Sequence, residues 1–186
     1  RNLAPDKEKT RYTQVLSVEP SPSGDLIAAV TVNRRDQEYD IVLLSAKDGE
    51  VIRNLTSGFD KDLGFEYLSI PGMRFNSVPW MSWSPSGDRI AYFVRTEKQR
   101  SLILQNVVTK RIERRVEIKL DQAESPDVAP NGRQVAFSAL NNAVGDIYVL
   151  DLDSGNVDNL TKDDFFDYAP TFSPDGKFLV YMARVS

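Results

Sequence analysis

Apolar residues in this chain fall into short continuous runs and not into a helical stripe. Ile27-Ala28-Ala29-Val30, Ile90-Ala91-Tyr92-Phe93-Val94, Val135-Ala136-Phe137 and Leu179-Val180-Tyr181 each have strand length and lack strict alternation. Such runs predict strands buried on both faces, and the small residue in most of them suggests a tight squeeze between stacked sheets. Each run begins five residues after a proline, in Ser21-Pro22-Ser23-Gly24-Asp25, Ser84-Pro85-Ser86-Gly87-Asp88, Ala129-Pro130-Asn131-Gly132-Arg133 and Ser173-Pro174-Asp175-Gly176-Lys177. Proline sets φ for the first corner of a type I turn and glycine takes the left-handed position, so a three-residue hairpin loop is expected four times.

A second hairpin follows in each complete repeat. Ile41-Val42-Leu43-Leu44 leads to Asp48-Gly49, Leu102-Ile103-Leu104 to Thr109-Lys110, and Ile147-Tyr148-Val149-Leu150 to Ser154-Gly155, each with an amphipathic strand after it. Two of these outer strands end alike, at Asn54-Leu55-Thr56 and Asn159-Leu160-Thr161. With the strand before each proline turn, the count is four antiparallel strands per roughly 45 residues, the period of a propeller blade. The turn prolines are spaced by 63, 45 and 44 residues, so one repeat carries an insertion.

The predicted fold is therefore all-β: a β-propeller of four-stranded antiparallel blades, with three full blades and the first half of a fourth. The blades are assigned to residues 11–57, 79–120, 121–162 and 163–186, and the insertion to 58–78. Closed propellers need about four to eight blades of about 45 residues each, so three and a half blades leave the ring incomplete, and the segment is read as part of a six- to eight-bladed ring. The remainder of the same polypeptide, or a second copy, would complete it. A helical solenoid would need a sustained 3.6-residue pattern, and a β-sandwich would not explain Pro-x-Gly at matched spacing.

The string from Asn159-Leu160-Thr161 to Asp167-Tyr168-Ala169-Pro170-Thr171-Phe172-Ser173-Pro174-Asp175-Gly176-Lys177 resembles the repeat of the TolB-like, WD40-like β-propeller family. So does Gly145-Asp146-Ile147-Tyr148-Val149-Leu150-Asp151-Leu152-Asp153-Ser154-Gly155. The resemblance covers nearly the whole chain apart from residues 1–9 and the insertion. Arg100 to Val116 departs most, since it lacks the Asp-x-x-Gly turn and ends in a basic strand. The resemblance implies a protein-binding scaffold of the bacterial cell envelope, in the periplasm, with envelope proteins as partners; a cytoplasmic setting stays open. It equally embraces propellers that gate prolyl-oligopeptidase-like and tricorn-like peptidases, whose catalytic domain would lie outside this chain.

Composition removes several function classes. The chain contains neither His nor Cys, so Ser-His-Asp and Cys-His pairs, His-ligated metals and disulfides are all impossible within it. No catalytic residue is assigned, and no enzyme activity is expected of the chain itself. A net charge of −4 argues against nucleic acid or an anionic membrane as partner. Lys110, Arg111, Arg114 and Arg115 form the exception, read here as the wet face of an outer strand. No apolar run reaches the roughly 18 residues of a membrane-spanning helix. The start, without Met or a hydrophobic targeting core, is that expected of a mature protein or of a segment of a longer one.

Two sets of residues stand out as binding candidates. Phe59, Phe65, Tyr67 and Phe75 crowd the insertion beside Gly58, Gly64, Pro71 and Gly72, as interface anchors or as rings that plug the channel. Asp163, Asp164 and Asp167 lie with Phe165, Phe166 and Tyr168 in the connection between blades. Three carboxylates can hold calcium through oxygen ligands, but the plainer reading, solvated turn and capping residues, is preferred, so no metal or other cofactor is expected. Asp151-Leu152-Asp153-Ser154-Gly155-Asn156 is read as a plain hairpin turn, and Trp80 and Trp83 as packing between blades.

Overall fold

The computed structural model describes residues 12–33, 39–57, 64–65, 81–96 and 99–184, and among them every regular element is a β-strand. The chain divides into two units, Arg1–Lys61 and Asp62–Ser186. In the first, β1 (Tyr12–Pro20), β2 (Leu26–Asn33), β3 (Tyr39–Ser45) and β4 (Val51–Asn54) form one antiparallel sheet in that order. The second begins with β5 (Gly64–Phe65), β6 (Met81–Trp83), β7 (Arg89–Arg95), β8 (Arg100–Asn106) and β9 (Ile112–Glu117). A further sheet follows, β10 (Gln122–Val128), β11 (Gln134–Asn141), β12 (Val144–Asp151) and β13 (Val157–Asn159), and then the pair β14 (Phe166–Phe172) and β15 (Leu179–Arg184).

Each proline motif closes its hairpin by the expected chemistry. Gly24, Gly87, Gly132 and Gly176 have φ of +69° to +77°, and each donates its amide to the carbonyl three residues earlier at 2.8–2.9 Å. The loop is one residue longer than three. Ser21 N donates to Leu26 O at 2.8 Å, enclosing Pro22 to Asp25, because one more residue follows the left-handed glycine before pairing resumes. Ser21, Ser84 and Ser173 add a second closure, their hydroxyls accepting the amides of Leu26, Arg89 and Phe178 at 3.0–3.1 Å. In the second hairpin of the β8–β9 pair, Lys110 takes the left-handed position (φ +63°) that Gly49 and Gly155 fill elsewhere. Asn106 Oδ1 there accepts the amides of Val108 and Thr109.

The apolar runs become the core. In the second unit Ala91, Phe93, Leu102 and Leu104 of the β7–β8 pair pack with Val135, Phe137, Tyr148 and Leu150 of the β11–β12 pair in one cluster. Phe137 is central, its ring 5.2 Å from Phe93 and 5.8 Å from Tyr148. The run in β15 behaves differently. Leu179 is half-buried, but Val180 is 66% exposed, and Tyr181 and Met182 face solvent too. A continuous apolar run predicts double burial only where a layer covers each face, and among the described residues nothing covers this one.

Register locates the lengthened repeat. Ala123 pairs with Ala139 and Asp127 with Ala136, while Phe65 pairs with Val94 and Ser82 with Ala91. Counted from the turn prolines, Val94 and Ala139 are equivalent, as are Ala91 and Ala136. Phe65 thus occupies the place of Ala123, and Ser82 that of Asp127. Phe65 and Ser82 lie seventeen positions apart where Ala123 and Asp127 lie four apart, so most of the extra residues enter within the first strand of the blade.

Candidate functional site

Where one sheet of the second unit meets the next, a stitch repeats. Ser82 Oγ accepts the amide of Val128 at 3.0 Å, and one sheet later Asp127 Oδ2 accepts the amide of Phe172 at 2.6 Å. The acceptor stands three residues before its turn proline and the donor two before the next. β10 and β14 also bulge at matching places, at Ser125 and Ala169, both with left-handed φ and both before a proline. The bulge takes Ala169 N out of its own ladder and lets it donate to Ser138 Oγ in β11 at 2.9 Å. Burial pushes the Asp127 carboxyl above the ordinary carboxylate range, against the opposing pull of the Phe172 amide and the Ser82 hydroxyl.

A second device fastens the outer strand of the β10–β13 sheet. Asp146, third in β12, accepts Asn159 Nδ2 at 2.8 Å and Thr161 Oγ1 at 3.0 Å, while Thr161 Oγ1 accepts the amide of Ile147 at 3.1 Å. In the first unit Thr56 Oγ1 donates to Asp40 at 3.1 Å and accepts the amide of Ile41 at 3.0 Å. Asn54 Oδ1 accepts the amide of Thr56, as Asn159 Oδ1 accepts that of Thr161. The recurring Asn-Leu-Thr is therefore half of a clasp whose other half is Asp-Ile at the start of the third strand. In the β8–β9 pair the corresponding residue is Ser101, and the clasp is replaced by a contact from Arg115 Nε at 3.4 Å. Arg114 and Arg115 lie on β9, the outermost and mostly exposed strand of its sheet.

The clasp brings Asp146 to the acidic candidates. Carboxylate oxygens of Asp146, Asp163 and Asp167 all lie within 4.8 Å of one another. Asp163 is solvated and accepts the amide of Phe165 at 2.8 Å, as a turn residue should. Asp167 is not solvated: it is 1% exposed, and neither of its oxygens accepts a hydrogen bond. Burial raises its pKa. The charges of Asp163 and Asp146 add to the rise. Asp164 is exposed and stands outside the trio. A small crevice lined by Gln122, Glu124, Ser138, Phe166 and Asp167 adjoins the group.

Of the aromatic candidates, Phe165 is exposed and Phe166 and Tyr168 are half-buried, their rings 6.1 Å apart. Phe166 lies flat against Gly145, where an added Cβ would come within 2.7 Å of the ring. Phe59, Tyr67, Phe75 and Trp80 lie outside the described residues, and Phe65 is described only by its backbone pairing. Trp83 is buried. Asp151 forms the plain turn expected of it, Oδ1 accepting the amides of Asp153 and Ser154. Sequence reasoning passed over Asp127 and Asp146; the parallel of Asp40-Ile41 with Asp146-Ile147, each ahead of Asn-Leu-Thr, is the signal that finds the latter.

Residues 76–185 match the model of the TolB beta propeller domain family. Among curated proteins, the uncharacterized protein Atu1656 of Agrobacterium fabrum is 25% identical over 119 residues, 61% of this chain and 39% of the relative. A solved structure described as TolB from Agrobacterium tumefaciens superposes with a TM-score of 0.70 at 22% identity, over 89% of this chain and 52% of the other. TolB from Acinetobacter baumannii gives 0.66 at 22% identity, over 93% and 38%. The tricorn protease gives 0.60 at 16% identity, over 91% of this chain and 15% of that one. The chain thus spans about half or less of the length of each of these proteins.

Proposed function

Because this chain belongs to the TolB β-propeller domain family, we propose that it is part of a non-catalytic, protein-binding propeller scaffold of the bacterial cell envelope, working in the periplasm. The observation that carries this reading is where the chain spends its polar side chains. Serines close proline turns, Asp40 and Asp146 clasp outer strands, and Ser82, Ser138 and Asp127 stitch neighbouring sheets. The threonine hydroxyls that do donate to carboxylates, Thr56 to Asp40 and Thr161 to Asp146, also accept a backbone amide and so hold a strand in place. Envelope proteins are the partners that the family suggests, and no helix of the described residues is long and apolar enough to cross a membrane. A second reading, the gating propeller of a peptidase, draws support from the likeness to the tricorn protease.

One experiment on the parent polypeptide separates the two. Osmotic-shock fractionation should release it with periplasmic markers, and the purified protein should bind an envelope lipoprotein or Tol-type partner in calorimetry while resisting labelling by a fluorophosphonate. Covalent labelling together with peptide hydrolysis would decide for the peptidase.

A further inference from the structure

Asp146, Asp163 and Asp167 come from three successive pieces of the second unit: β12, the loop after β13 and the start of β14. Two of the three are buried, and carboxylates this close out of water are relieved either by a proton held on one of them or by a cation between them. Among the described residues no lysine or arginine forms a salt bridge with any of them.

Two observations beyond the clustering point to a ligand. Asp167 is 99% buried and aimed into the group with both oxygens unbonded, whereas Asp146 is oriented from behind by Asn159 and Thr161 and Asp163 by the Phe165 amide. Donors on the far side thus orient Asp146 and Asp163, and their remaining lone pairs face the free oxygens of Asp167. The chain also contains its own control. At the preceding junction of the same unit, Ser101 stands where Asp146 does and Ala123 where Asp167 does, both fully buried. Asp146 has its clasp to account for it, as Asp40 does in the first unit, but the architecture closes with alanine in the place of Asp167, whose buried carboxylate packing does not ask for.

We propose that Asp146, Asp163 and Asp167 bind one calcium ion, tying the loop after β13 and the first residues of β14 to β12. The donor set is all oxygen, which suits a hard cation. Oxygens within 4.8 Å of one another can surround one ion with bonds of about 2.3–2.6 Å, and three carboxylates in an irregular, one-side-open set suit calcium, which tolerates irregular geometry, better than magnesium, which demands a near-ideal octahedron. Exposed Asp163 leaves an open side for entry and for the waters that complete the shell.

The test uses the 186-residue chain, stripped with a chelator and titrated with calcium chloride, with magnesium chloride as comparison. Calorimetry should show one calcium per chain with a Kd of about 1 mM or tighter, at least tenfold preferred over magnesium, and calcium should raise the melting temperature. Asp163→Asn and Asp167→Asn should each weaken calcium binding at least tenfold, while Asp164→Asn, an exposed neighbour outside the trio, leaves it unchanged. Should Asp167→Asn fail to fold, exposed Asp163→Asn carries the test alone. Absence of calcium binding, equal affinity for magnesium, or calcium binding that survives Asp163→Asn would overturn the proposal.

Discussion

Carboxylates of one residue type are driven in opposite directions by their settings. Asp151, half-buried at its hairpin turn, is held below the ordinary range by the Ser154 amide and hydroxyl. Asp127 accepts comparable hydrogen bonds, yet burial outweighs them and raises it. The sign of its effect on stability follows. A carboxyl whose folded pKa is raised contributes stability that is full below its unfolded value, near 3.8, and that is lost as pH rises through the folded value. In Asp127→Asn the amide oxygen can still accept the Phe172 amide but nothing titrates. Urea midpoints measured from pH 3 upward should therefore fall less steeply in Asp127→Asn than in the parent chain, and parallel curves would show that Asp127 is not perturbed. None of this was legible in sequence, because Asp127 and Asp151 differ only in what three-dimensional packing sets around them.

At the scale of elements, the strands and turns were readable and the departures from regularity were not. Proline and glycine announce their conformation locally, and apolar runs of strand length announce burial. The bulges at Ser125 and Ala169 carry no glycine, although a left-handed residue is needed there, and only the proline that follows each hints at an interruption. The bulge matters because it turns Ala169 N outward to Ser138, fastening one sheet to the next. On the side of the preceding sheet, the same β11 makes the aromatic contact of Phe137 with Phe93, with Tyr148 beside it. Truncating Phe137 to Ala should cost about 3–5 kcal/mol, since the site is fully buried and its neighbours sit on rigid strands that cannot collapse into the void. Chemical denaturation followed by circular dichroism measures it; a loss under about 1 kcal/mol would mean that the two sheets do not depend on this contact.

For the whole molecule, the β14–β15 hairpin exposes Phe178 in its turn and, along β15, Val180 and Met182 on one face and Tyr181 on the other, apolar groups beside strand backbone. The 186-residue chain should associate with itself as concentration rises in sedimentation velocity, and Val180→Lys combined with Met182→Lys should return it toward a monomer. A compact monomer of the parent chain at all concentrations would contradict this. Repeat period, turn chemistry, strand burial and membership of a propeller family are properties that the sequence determines by itself, because each rests on contacts a few residues apart, multiplied by repetition. Tertiary structure alone decided that Asp167 is buried instead of solvated, that Asp146 joins it, and that Asp164 does not. Those outcomes depend on which distant residues arrive at one place, and neighbours along the chain carry no record of that.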